Sequence, residues 1–130
     1  MKYTLLALFL AVAAQPAGVR AHHSFASEFD ANKPVSLKGT VTRVEFINPH
    51  SWIHIEVTGG DGKKAAWEVE GGTPNTLFRK GINDKTLPAG TAIAVEGYQA
   101  RDGSNRMSGR DITLADGKKV FLSGSAPQQP

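Results

Sequence analysis

Four histidines carry most of the chemistry open to this chain, and no cysteine accompanies them. They fall in two pairs, His22-His23 and His50/His54. Without thiols there is no disulfide framework, no sulfur metal site and no Cys nucleophile. Imidazole is then the strongest ligand left for borderline transition metals. His22 directly follows Val19-Arg20-Ala21, which places small or compact residues where a signal peptidase reads. Cleavage after Ala21 would make His22 the first residue, so that its free amine and its imidazole chelate one metal together. An imidazole from another segment completes a T-shaped set of three nitrogens, the arrangement of the histidine brace in copper oxygenases and copper carriers. Such donors suit Cu(II), which heads the divalent affinity order. His50, behind Pro49 in a turn, is the favoured second imidazole, with His23 and His54 as further candidates. The three-residue terminal copper motif needs His at mature position three, where Ser24 stands. The plainer reading competes for all four: a His pair beside a cleavage site arises by accident, His50 bonds its own turn, and His54 is a solvated strand residue.

A second constellation is Trp52, His54 and Glu56 on one strand face, with Glu68 and Glu70 sharing a parity on the next strand. Pairing of these strands would set His54 beside a carboxylate and leave Trp52 as a stacking platform. The alternative function is therefore a non-metal binding or interaction module, contacting a protein or saccharide through Trp52, Glu56, Glu68 and Glu70. A half-exposed polar sheet face produces the same alternation without any ligand. Catalysis is not expected. No Ser-His-Asp signature is present, and Gly59-Gly60-Asp61-Gly62 reads as a turn. Gly71-Gly72-Thr73-Pro74-Asn75 precedes a helix but lacks the Lys of a phosphate loop.

The segments that must position these residues begin with a targeting signal. Lys2 precedes an apolar run from Leu5 to Ala14, which Gln15-Pro16-Ala17-Gly18 breaks. This is a secretory pattern, helical over residues 4–14, and too short to span about 30 Å of hydrocarbon. The expected location is periplasmic or secreted, with no membrane span after cleavage. Removal of 1–21 takes Lys2 and Arg20 away, lowering Lys+Arg from 15 to 13 against 12 Asp+Glu. The whole-chain charge of +3 and pI near 9.3 thus shrink to a formal +1, and nucleic acid is not an expected partner.

Beyond the signal, an arm at 22–34 leads to a domain at 35–122 and a polar, disordered tail at 123–130. Val35, Leu37, Gly39 and Val41 share one parity, and Val44 and Phe46 take the other, which predicts a bulged strand. Asn48-Pro49 interrupts, then Ser51–Thr58 and Ala65–Glu70 alternate around the glycine turn. Thr73 as cap and Pro74 at the first position predict a short helix to Lys80, closed by Gly81. Strands follow at Thr91–Tyr98, Met107–Leu114 and Lys119–Leu122. The expected core is Val41, Ile53, Ile55, Val57, Trp67, Val69, Ile93, Val95 and Ile112. Five or six strands with one helix between the third and fourth predict a mainly β, OB-like barrel.

Three motifs carry a family resemblance over nearly all of the mature chain: Ala21-His22-His23-Ser24-Phe25 with Phe29-Asp30, Asn48-Pro49-His50-Ser51-Trp52, and Trp67-Glu68-Val69-Glu70-Gly71-Gly72-Thr73-Pro74-Asn75. Together they resemble the exported bacterial family labelled domain of unknown function 6152. The resemblance implies a small exported protein and no particular activity.

Overall fold

The computed structural model describes residues 25–127. The signal segment, His22 and His23 lie outside the described residues. A helical turn at 25–28 leads into six strands. These are β1 (Phe29–Glu45), β2 (Trp52–Thr58), β3 (Lys64–Glu70), β4 (Ala92–Ala100), β5 (Arg106–Thr113) and β6 (Lys119–Phe121). The short helix Pro74–Arg79 joins β3 to β4. Thr73 caps it, its hydroxyl accepting from the Thr76 N–H at 3.3 Å, and Pro74 occupies its first turn, as expected.

All six strands form one sheet in the order β3-β2-β1-β4-β5-β6. A parallel pairing of β3 with β5, from Glu68 opposite Arg106 to Glu70 opposite Ser108, closes five of them into a ring. The other pairings are antiparallel. This mainly β, OB-like arrangement with a helix between the third and fourth strands is the one the strand pattern predicts.

β1 makes the ring possible by serving two neighbours. Its first half pairs with β4, from Pro34 opposite Tyr98 to Thr40 opposite Ala92, and its second half pairs with β2. A register shift between Val41 and Arg43 swaps the inward face, so Val41 is buried and Val44 packs against the same core. The parity change in the sequence marks this bulge. β1 starts at Phe29 rather than Val35, because a second register shift between Phe29 and Pro34 absorbs the polar Asp30–Lys33 stretch and lets Phe29 meet Ala100.

Val41, Ile53, Ile55, Val69, Ile93, Val95 and Ile112 are buried in the main core, with Val57 and Trp67 half-buried against it. Leu77 from the helix and Ile82 and Leu87 from the following loop complete it. β4 and β5 approach so closely that a Cβ on Gly97 would stand 2.1 Å from the Ser108 carbonyl oxygen. Only glycine fits there.

A second, smaller cluster holds Phe25, Phe29, Tyr98, Ala100 and Ala126, with Trp52 packed on it. The Phe25 ring meets Tyr98 edge-on at 5.6 Å and stacks on Phe29 at 5.9 Å. Disorder was the expectation for 123–130, yet 123–127 are packed. Ala126 is buried, the Gly72 N–H donates to the Leu122 carbonyl at 2.7 Å, and Lys80 Nζ bonds the Phe121 carbonyl and the Ser123 hydroxyl. Polar composition predicts an unbound tail only when the polar groups lack partners, and here the fold supplies them.

Candidate functional site

His50 lies in the turn between β1 and β2, after a cis Asn48–Pro49 bond. The next residue stitches this turn to the end of β3. The Ser51 N–H donates to the Gly72 carbonyl, and the Gly71 N–H donates to the Ser51 carbonyl, both at 2.8 Å. The His50 ring is 29% exposed, and its Nδ1 stands 3.8 Å from Glu70 Oε2.

Glu70 departs from its expected role. Strand alternation places it on an outward face beside Trp52, which it opposes in the β2–β3 register, yet it is only 3% exposed. The C-terminal segment covers it. Its Oε1 accepts from the Ser125 N–H at 2.9 Å, from the Ser125 hydroxyl, and from the Ser108 hydroxyl at 3.3 Å. Alternation reports which way a strand residue points. It does not report what another segment lays over it.

Trp52 is likewise no open platform. It is half-buried against the second cluster, and the Arg106 guanidinium lies 4.8 Å from its ring centre. Arg106 also pairs with Glu68 at 3.2 Å, and Glu56 pairs with Lys64 at 2.9 Å. The expected binding face of Trp52, Glu56, Glu68 and Glu70 is thus tied up in internal contacts, apart from the exposed portions of Glu56 and Glu68.

His54 does meet a carboxylate, as pairing of the two strands requires. It opposes Glu68, with Nδ1 3.8 Å from Glu68 Oε1 and Nε2 2.9 Å from Glu45 Oε2. Its ring is 12% exposed, with both nitrogens facing carboxylates. The His54 hydrogen bond, helped by the charge of Arg43, holds the Glu45 carboxyl below its ordinary value of 4.5 against an opposing desolvation. His50 and His54 take different carboxylate partners. Among the described residues no group of three or more His, Asp or Glu side chains is arranged to hold a metal ion.

Sequence reasoning missed Ser108, Ser125 and Glu45. Ser108 is marked only by the β3–β5 register, and Ser125 sits in a segment with no periodic signal.

The family model described as a family of unknown function, DUF6152, matches residues 9–109. The chain belongs to this family. The DUF6152 match takes in the His50 turn, Glu70 and Ser108. No curated protein matches the chain.

Proposed function

We propose that this DUF6152 protein is an exported copper-binding protein, and not an enzyme, whose site joins the His22 amine and imidazole to the imidazole of His50. The carrying observation is the position of Phe25. It is held in the second cluster with Trp52, two residues from His50, and with Ala126, next to Ser125, the partner of Glu70. His22 stands three residues ahead of Phe25, and three residues span at most about 10–11 Å. On this reading the terminal donors reach the end of the ring that carries His50. Partial exposure of the His50 ring beside a buried carboxylate also suits a metal ligand with a supporting partner. Export to the periplasm or exterior, with removal of 1–21, is part of the same proposal.

A second reading, an interaction module without metal, draws on the exposed Ile47 and Phe78 beside the same turn, where the Phe46 and Phe78 rings stand 5.0 Å apart. It shifts the contact surface away from Trp52.

Intact mass of exported protein should begin at His22. Calorimetric titration with Cu(II) then compares this protein, a form with one residue added ahead of His22, and His50→Ala. Strong binding by the first alone supports the copper site. Equal binding by the extended form removes the amine from the site. Affinity no better than about millimolar in all three leaves the interaction module in its place.

A further inference from the structure

The two oxygens of Glu70 have divided roles. Oε1 takes all three donors from Ser108 and Ser125, while Oε2 faces only His50 Nδ1 among the described residues. The carboxylate is buried and cannot turn without breaking the bonds that the C-terminal segment makes to it. A ring nitrogen that faces a carboxylate oxygen at 3.8 Å is attracted if it carries a proton and repelled if it presents a lone pair. Among the described residues no hydrogen bond to His50 Nε2 opposes that preference. We infer that Glu70, held by Ser125, is a positioning residue that keeps the ring proton of His50 on Nδ1 and leaves Nε2 as the ligand atom.

This is the tautomer a free histidine side chain favours less, so the carboxylate must impose it. Residues 123–127 then belong to the site. Ser125 orients Glu70, which orients His50, while Ala126 packs in the cluster that seats Phe25. For copper the consequence is a more basic Nε2 and a preset ring. That part rests on the proposal above, but the tautomer does not.

Glu70→Gln gives a directed test. The Gln carbonyl would keep the Ser125 donors, which turns the amide NH2 toward His50. Nδ1 must then accept, and the proton moves to Nε2. Long-range proton–nitrogen NMR of 15N-labelled exported protein at about pH 8, where an imidazole of ordinary pKa near 6.5 is neutral, reads the tautomer directly. His50→Ala assigns the signals. The expected result is protonated Nδ1 in the native protein and protonated Nε2 in Glu70→Gln. A native His50 mainly protonated on Nε2 overturns the inference, whether or not the variant folds. So does an identical tautomer in both folded proteins. Copper titration of the same pair should show an affinity loss of about 10–100-fold in Glu70→Gln. If the tautomer inverts while neither protein binds copper, the positioning role stands and the copper proposal falls.

Discussion

His54 Nε2 lies 2.9 Å from Glu45 Oε2, a contact that ties β2 to the end of β1 just past its bulge. Glu45 also takes Arg43 Nη1 at 2.7 Å, so one carboxylate gathers two partners. The pair is half in water, and its worth is therefore sensitive to salt.

Its pH dependence has a definite sign. Glu45 titrates below its ordinary 4.5 in the folded chain, first because of the His54 hydrogen bond. The associated stability is complete above 4.5 and is lost as pH falls through the lower folded value. In His54→Ala the Glu45 midpoint should rise, because the largest cause of its lowering is removed. Carbon NMR titration of the carboxyl checks this. An unmoved midpoint would mean that Arg43 alone depresses it.

Ile55 is 1% exposed in the main core. Ile55→Ala should cost about 2–5 kcal/mol in urea unfolding, from lost transfer energy and the cavity left behind. A loss under about 1 kcal/mol would contradict its place in the core.

Two glycines should respond very differently to a methyl group. A Cβ on Gly97 would meet the Ser108 carbonyl oxygen at 2.1 Å and Met107 Cε at 2.9 Å, whereas one on Gly60 meets nothing within 4 Å. Backbone cannot yield as a side-chain tip does, so Gly97→Ala should lose about 1–3 kcal/mol or more. Gly60→Ala should stay within about 0.5 kcal/mol of the parent. Similar stabilities for the two would show that β4 and β5 separate easily.

Ser125→Ala removes a hydroxyl from a buried carboxylate that, among the described residues, keeps the Ser125 N–H and Ser108 as donors. A loss of about 1–3 kcal/mol is expected, with amide exchange rising around residues 122–126. Unchanged exchange there would indicate that the C-terminal segment is held without Glu70.

Copper affinity should weaken as pH drops through about 6.5, where protons compete for imidazole. Affinity that holds steady down to pH 5 would point away from histidine ligands.

The ring was legible in the chain because its cause is local. The parity change between Val41 and Val44 marks the bulge, and Thr73-Pro74 marks the helix start. Alternation also sorted Ile53, Ile55 and Val69 from their neighbours. The candidate site was less legible because its decisive contacts are not local. Glu70 meets Ser125 across most of the second half of the chain, and Trp52 meets Arg106 only because β3 pairs with β5. No periodicity encodes such meetings. Residues 25–29 and 123–126 lie outside every alternating run centred on the ring, yet they decide which outward residues see water.

Phe25 and Ala126 share one cluster, so the two limits of the described fold are neighbours. The chain leaves close to where it enters, and a short peptide linker could join residue 127 to residue 25 without crossing the ring. The turn at Gly59-Gly60-Asp61-Gly62 is exposed and bears no part of the candidate site, which makes it the natural place to open new ends. Such a circular permutant would keep every strand pairing while fixing the start of the described fold in place. It would also remove any free amine from the vicinity of His50, separating what the fold contributes from what the chain's own beginning contributes.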